Sequence, residues 1–191
     1  DPIKRGKMDA ATLAAEQVKA DDIMRTGWSV KNGVLVFSGH GENLCTVKKY
    51  GDFEMVVDWK IQKDGDAGIY LRGTPQVQVW DTSRRDVGAE VGSGGLYNNQ
   101  SHASKPLVLA DNAIGDWNNF RIIMVGDQVT VYLNGVLVVD KVPLENYWDR
   151  SLPLFTEEQI ELQAHGNIIE YRDIYIREIP AAKLSVLSDQ E

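Results

Sequence analysis

The segment FEMVVDWKIQKDGDAGIYLRGTPQVQVW, residues 53–80, decides the fold. Residues 53–61 alternate apolar and polar side chains at a period of two, which predicts a half-buried strand. A run rich in Lys, Asp and Gly follows, and two shorter alternating stretches, 68–72 and 76–80, come after it. Alternation interrupted by turn residues is typical of antiparallel sheets, so this segment predicts three strands of a mostly β protein.

The same pattern continues on both sides of this segment. Two Asn-Gly pairs favour type I′ turns and predict hairpins, one at Asn32–Gly33 within SVKNGVLVF and one at Asn134–Gly135 within QVTVYLNGVLVVD. Further strands are predicted at 118–125, 160–164 and 168–176. About ten strands are too many for one open sheet in a chain of this size. The sequence therefore predicts an all-β fold of two antiparallel sheets packed face to face.

The N-terminal region differs from the rest of the chain. Residues 8–22 are rich in Ala, Leu, Glu and Lys without Gly or Pro, and Asp9 is placed to cap a helix. We therefore divide the chain into an N-terminal helical segment (1–22), a sandwich (23–180) and a C-terminal tail (181–191). Residues 82–115 show little alternation and predict a long irregular loop of the kind that is functional or mobile.

Composition excludes several classes of function. The chain of 191 residues carries 20 Lys and Arg against 28 Asp and Glu, a net charge of −8 that repels nucleic acid and anionic membrane surfaces. It has no apolar run of about 18 residues that would span a membrane. Cys45 is the single cysteine, which excludes an internal disulfide and a cysteine-based zinc site. Asp64 and Asp66 match no complete calcium loop, so we expect no cofactor and no obligatory metal.

Strand parity predicts one shared polar face. Successive side chains point to opposite faces of a strand, so the apolar positions of each strand point inward and leave a polar set outside. That outer set is Tyr70 and Arg72, then Gln76, Gln78 and Trp80, then Glu161, Gln163 and His165. Amides, cations and flat rings together suit a sugar, which presents hydroxyls and apolar C–H patches. The alternative is an ordinary solvated face.

Eight short motifs add a resemblance that covers Met24 to Ile179. In chain order they are Asp52-Phe53-Glu54, DAGIYLRG at 66–73, QVQVWD at 76–81, Gly95-Leu96-Tyr97, Asp116-Trp117-Asn118, Leu133-Asn134-Gly135, IELQAHG at 160–166 and YRDI at 171–174. This ordered series resembles the bacterial 3-keto-disaccharide hydrolase family. The resemblance implies a concanavalin A-like jelly roll with a substrate groove on its concave sheet, in an exported protein of the bacterial periplasm or cell surface. The chain opens at Asp1 without Met, as a processed or truncated chain would.

The resemblance also implies an activity, the cleavage of a glycosidic bond in a sugar that carries a ketone at carbon 3. Such a ketone acidifies the C2 proton, so that a base removes it, the C1 substituent leaves by elimination and water adds back. The Glu-x-Asp-x-x-Glu motif of two-carboxylate jelly-roll glucanases is absent. Two alternatives stay open: a carbohydrate-binding module of the same fold that cuts nothing, and an interaction domain.

Four residues are the catalytic candidates. His165 would act as base or acid, Arg72 would stabilise enolate charge, and Asp66 and Glu161 would contact substrate or transfer protons. Each of the first three also has a structural interpretation: a plain surface histidine, an ion-paired arginine and a turn aspartate.

Eight further residues are the substrate-binding candidates, and the predicted partner is a carbohydrate. They are Tyr70, Gln76, Gln78, Asp81, Tyr97, Trp117, Gln163 and Arg172. For Trp117, packing at a strand start is the stronger interpretation. For Asp81 and Arg172 an equal alternative stays open, in which the two side chains pair with each other and stiffen the sheet.

Overall fold

The computed structural model describes residues 1–180 and shows two antiparallel sheets with two N-terminal helices. The helices are α1 (Pro2–Arg5) and α2 (Ala10–Gly27). The strands are β1 (Trp28–Lys31), β2 (Val34–Phe37), β3 (Leu44–Cys45), β4 (Phe53–Ile61), β5 (Asp66–Leu71), β6 (Thr74–Trp80), β7 (Asn118–Val125), β8 (Gln128–Leu133), β9 (Val136–Pro143), β10 (Glu161–Leu162) and β11 (Ile169–Glu178). Short 3₁₀ turns lie at Arg85–Val87 and Ala89–Val91.

The two sheets differ in size. The larger has seven strands in the order β1-β2-β11-β4-β7-β8-β9, and the smaller has four in the order β3-β10-β5-β6. All pairs are antiparallel, and the apolar faces of the two sheets form one core. The predicted all-β fold of two face-to-face sheets is confirmed.

The predicted alternation of inward and outward side chains is seen in the strands that form the core. Along β4, the side chains alternate strictly between buried and half-buried, from Phe53 to Ile61. In the smaller sheet, Ile69 and Val77 are fully buried in the same core. Both predicted hairpins form, and Asn32 and Asn134 have φ angles of 53° and 52°, the left-handed values that type I′ turns need.

The helical region extends beyond its predicted bounds. The carboxylate of Asp9 accepts the Thr12 backbone N–H at 2.8 Å and so caps α2 as expected. However, α2 ends at Gly27 rather than at residue 22, because the partly buried Met24 packs against the core. A Cβ at Gly27 would lie 2.5 Å from the carbonyl oxygen of His40, so only glycine permits this close approach.

Two remaining sequence predictions concern the ends of the chain and the membrane. The short helix α1 was not predicted; it starts from an Asp1 cap and buries Pro2. The predicted tail, residues 181–191, lies outside the described residues. Within residues 1–180, no helix is long and apolar enough to cross a membrane.

Candidate functional site

The register of β10 against β5 builds the floor of the candidate site. Glu161 lies opposite Tyr70, and Leu162 lies opposite Ile69. The backbone N–H of Gln163 then donates to the carbonyl of Gly68 at 2.9 Å, which continues the same register beyond the end of β10. Two residues further on, this register brings His165 to Asp66, and Nδ1 of His165 lies 3.9 Å from Oδ2 of Asp66.

Strand β6 adds two amides to the same face. Gly68 lies opposite Gln78, and the Nε2 of Gln78 donates to Oδ1 of Asp66 at 2.7 Å. The Oε1 of Gln78 accepts from the Nε2 of Gln76. A Cβ at Gly68 would lie 2.7 Å from the Cδ of Gln76, so the missing side chain makes room for Gln76 to lie across the sheet.

We call the outer face of the smaller sheet the polar floor. Its members share an outward position on three adjacent strands and are seven of the twelve predicted site residues: Asp66, Tyr70, Gln76, Gln78, Glu161, Gln163 and His165. Parity thus gathers most of the predicted set on one face.

Asp66 is a partly buried, hydrogen-bonded carboxylate of the polar floor. Its side chain is 19% exposed, whereas that of His165 is 56% exposed. Gln78 fixes one carboxylate oxygen, and the other faces both His165 and the guanidinium of Arg84, whose Nη1 lies 3.6 Å away. The arrangement places an accessible imidazole between solvent and an oriented carboxylate, with the guanidinium of Arg84 beside them. Such a set can move a proton and stabilise a developing negative charge.

Tyr70 and Glu161 form the other end of the polar floor. They lie four residues along β5 from Asp66, about 13 Å at the usual strand rise. Burial raises the pKa of the Tyr70 hydroxyl, and the charge of Glu161 raises it further, while the amides of Asn43 and Gln163 act in the opposite direction. Asn43 donates to Glu161 at 3.2 Å and accepts the Ala164 backbone N–H at 2.9 Å. This end therefore offers hydrogen-bonding groups at a distance that suits a second contact with a sugar.

A cleft of about 280 Å³ opens beside Gln78 and Trp80. Its far wall comes from the irregular segment after β6, which is tied to β6 because Gln78 N–H donates to Gly95 O at 2.9 Å and Gly94 N–H donates to Gln78 O at 2.7 Å. The indole N–H of Trp80 donates to the carbonyl of Gly92 at 2.9 Å. Trp80 meets the ring of Tyr97 edge-on, with centroids 5.3 Å apart. Tyr97 is 51% exposed and presents an open aromatic surface.

Arg72 does not join this site. β5 ends at Leu71, and Arg72 turns away with a φ of 48°. Its guanidinium donates to Gly51 O at 2.9 Å, Phe155 O at 3.2 Å and Asp52 Oδ1 at 2.7 Å. Arg72 also lies six residues along the chain from Asp66, about 20 Å away on an extended strand. The prediction that Arg72 shares the outer face with Tyr70 is therefore wrong, and its ion-paired interpretation describes the side chain better.

Three more predicted residues lie elsewhere. Asp81 is fully buried and accepts the backbone N–H groups of Asp64 and Ser83, each at 2.8 Å, so it shapes a turn. Trp117 lies on the outer face of the larger sheet, where the guanidinium of Arg172 stacks 4.0 Å from its ring centroid.

Arg172 pairs with Asp58 at 3.1 Å, so the proposed pairing of Asp81 with Arg172 is wrong. Parity within one strand does not reveal which sheet that strand joins, and β11 belongs to the larger sheet, on the opposite side of the sandwich from the polar floor.

Two residues near the site were missed by the sequence analysis. Arg84 follows a turn in the irregular loop, and Asn43 precedes the two-residue strand β3. Neither sits in an alternating run, so no periodicity marks them. The turn composition of Asp81-Thr82-Ser83 was the only available sign that the chain bends back there.

A larger surface cavity of about 490 Å³ lies away from the polar floor, beside Arg72 and Glu145. Burial raises the pKa of Glu145, but the backbone N–H groups of Gln100, His102 and Ser101 outweigh burial and lower the pKa to about 2. Arg150 adds an ion pair at 2.9 Å. The carboxylate of Glu145 therefore connects the segment at residues 100–102 to Arg150 and has a structural role.

The described residues offer no ready metal centre. Across residues 1–180, no group of three or more His, Cys, Asp or Glu side chains is arranged to hold a metal ion.

Together, two antiparallel sheets packed face to face, with a polar floor and an adjoining ring-bordered cleft on one outer face, define a jelly-roll domain. The sequence matches the family of 3-keto-alpha-glucoside-1,2-lyase-like domains over residues 9–177, and the chain belongs to this family. A search of curated proteins finds no match to the chain.

Solved structures agree on the fold. A presumed glycosyl hydrolase from Parabacteroides distasonis superposes with a TM-score of 0.66 at 23% identity, over 81% of this chain and 91% of that one. A second presumed glycosyl hydrolase from the same organism gives a TM-score of 0.64 at 21% identity, over 81% and 84% of the two chains. The carbohydrate-binding module CBM66 from Bacillus subtilis gives 0.52 at 14% identity, over 79% and 91%. The predicted jelly-roll architecture is confirmed.

Proposed function

We propose that this protein cleaves the glycosidic bond of 3-keto-glucosides by elimination across C1 and C2, followed by addition of water. The observation that carries the proposal is the grouping of His165, Asp66 and Arg84 on the polar floor, next to the cleft that Gln78 and Trp80 border. Membership in the family of 3-keto-alpha-glucoside-1,2-lyase-like domains supports the same reaction.

The reaction begins with the loss of the C2 proton, which the neighbouring C3 ketone acidifies. His165 in its neutral form takes this proton, and the electron pair moves into an enediolate whose charge rests on the C3 oxygen. The ketone then re-forms, a C1–C2 double bond forms and the glycosidic C1–O bond breaks. The leaving alkoxide takes the proton back from the imidazolium. Water finally adds across C1–C2, so the sum of the steps is hydrolysis.

The groups around His165 have separate tasks in this sequence. The carboxylate of Asp66, 3.9 Å from the imidazole, stabilises the imidazolium through its negative charge. Gln78 holds Asp66 in place, because both ends of its amide are engaged within the protein. Arg84 supplies a positive charge for the enediolate oxygen. Glu161 and Tyr70 would bind hydroxyl groups at the far end of the polar floor.

The test is the release of free sugar from 3-keto-trehalose or a 3-keto-glucoside. We expect turnover by the wild type and a loss of about 10²–10⁴-fold in His165→Gln, the range for a positioned general base. His40→Gln is the matched control, since His40 is an exposed histidine outside the polar floor. Asp66→Asn should lower kcat more than it raises KM. Equal activity in His165→Gln and wild type would remove histidine from the mechanism.

A second function has one observation in its favour. The open ring of Tyr97 beside the polar floor is sufficient to hold a sugar without any proton transfer, and the likeness to CBM66 supports a binding module. Calorimetry distinguishes the two functions: saturable binding of unmodified glycans without turnover of any 3-keto-glycoside supports the module.

A further inference from the structure

We propose that the cleft beside Trp80 takes an apolar aglycone, so that the preferred substrate is a 3-keto-glucoside of an aromatic or aliphatic alcohol rather than a 3-keto-disaccharide. This inference rests on the proposed function and specifies its substrate class. It follows from the unequal chemistry of the two ends of the groove.

The cleft differs from the polar floor in the groups that point into it. Its walls include Val87, Val91 and Pro106, and Val87 is 41% exposed. The amide of Gln78 borders the cleft but is already engaged with Gln76 and Asp66. The other polar residues of the cleft are Ser104 and the exposed Glu90 and Lys105, so apolar side chains and the rings of Trp80 and Tyr97 make up the larger part of the wall. A second sugar needs several hydrogen-bonding groups aimed at its hydroxyls. An apolar group therefore gains more from this cleft than a second sugar does.

The apolar surface continues beyond the cleft. Leu107, Val108 and Leu109 are three consecutive residues with 68%, 47% and 53% of their surface exposed. Leu109 packs onto the cleft wall, since a Cβ at Gly92 would lie 3.2 Å from its Cδ1. Exposed apolar surface of this extent next to a groove is typical of a binding surface. Leu109 therefore extends the apolar surface of the cleft that a longer aglycone would cover.

The cleft also lies where a leaving group would extend. Asp66 is the register partner of Trp80, and Gln78 contacts Asp66 while it lines the cleft. A sugar held over Asp66 and His165 therefore has the cleft as its immediate neighbour across β6. The departing alcohol enters apolar surroundings, and the sugar ring stays on the polar floor.

The test compares substrates that share one 3-keto-glucosyl group and differ in the alcohol. The 3-keto forms of methyl, hexyl and 2-phenylethyl α-glucoside, and of isomaltose oxidised on its non-reducing glucose, all lose the alkoxide of a simple alcohol, so intrinsic reactivity differs little among them. We expect kcat/KM for the phenylethyl substrate to exceed that for the methyl substrate and the disaccharide by at least about 10-fold. This is the discrimination that a small apolar pocket usually achieves. Val87→Ser and Leu109→Ser should each reduce this preference by about 10-fold.

Val30→Ser is the matched control, because Val30 is 71% exposed on the edge strand β1 of the other sheet. It should leave the preference unchanged. A preference for the disaccharide, or equal losses for all substrates in Val87→Ser, would overturn the inference while the proposed function stands. If no substrate is cleaved, the proposed function fails, and calorimetry with the same glucosides decides the inference: tighter binding of the phenylethyl glucoside supports it, and equal affinities refute it.

Discussion

Replacement of Gly68 by alanine should disturb the polar floor in a way that its contacts define. The new Cβ would lie 2.7 Å from Cδ, 2.9 Å from Cγ and 3.0 Å from Nε2 of Gln76. Overpacking of this kind costs about 1–3 kcal/mol, and the lower entropy of the unfolded alanine chain returns about 0.4–1 kcal/mol. We expect Gly68→Ala to lower the free energy of unfolding by about 1–2 kcal/mol, which lowers Tm by about 3–6 °C for a domain of this size.

The same change should also lower the rate of cleavage, because the amides of Gln76 and Gln78 connect Gly68 to Asp66. If Gln76 moves, its hydrogen bond to Gln78 is lost, and Gln78 no longer holds Asp66. A displacement of about 1 Å at such a group costs about 10²-fold in rate. We therefore expect keto-glucoside cleavage by Gly68→Ala to fall by about that factor.

A double-mutant cycle with Gln76→Ala, followed by urea unfolding, isolates the clash. In the Gln76→Ala background, Gly68→Ala should become neutral or slightly stabilising. Gly51→Ala is the control, since its Cβ would meet only Thr156 O at an ordinary 3.4 Å. The same destabilisation by Gly68→Ala in both backgrounds would refute the reasoning.

Three other variants test structural roles, each by urea unfolding. Glu145→Gln should lower the free energy of unfolding above pH 4.5, and this loss should shrink as pH falls toward about 2. The reason is that a carboxyl group with a lowered pKa stabilises the fold only while it is ionised. A loss of stability that does not depend on pH would contradict this. Arg72→Lys should lower the free energy of unfolding by about 2 kcal/mol, because hydrogen bonds of the guanidinium are lost. A loss of cleavage without a loss of stability would instead show that Arg72 takes part in the reaction. Tyr171→Phe should raise the free energy of unfolding by about 1 kcal/mol, because the buried Tyr171 hydroxyl has no hydrogen-bond partner among the described residues. A destabilised variant would show that this hydroxyl makes a hydrogen bond in solution.

Sequence periodicity predicted the polar floor because the floor is made of regular strands. Tyr70, Glu161 and Gln163 alternate with core residues, so their outward direction follows from the period of two. The pairing of His165 with Asp66 follows from register, and the distance between them along the chain hides it from any local pattern. Family motifs, rather than periodicity, singled out Asp66.

The errors arise where the strands end or where the sheet must be assigned. Arg72 lies one residue past β5, at a left-handed backbone angle where alternation no longer holds. Trp117 was read correctly as a residue at a strand start and Arg172 as part of a strand, but no local pattern shows that β7 and β11 belong to the larger sheet. Arg84 lies in an irregular loop, whose path depends on tertiary contacts.

The groove is assembled from two kinds of backbone with different tolerance to change. The floor comes from hydrogen-bonded strands, whereas the cleft wall comes from one continuous stretch, residues 87–106, that touches β6 through Gly94 and Gly95. The proposed catalytic groups and the proposed site for the leaving group therefore lie in separable parts of the polypeptide. Transplanting that stretch between relatives, with its two glycine anchors kept, offers a way to exchange selectivity while the reacting residues stay in place.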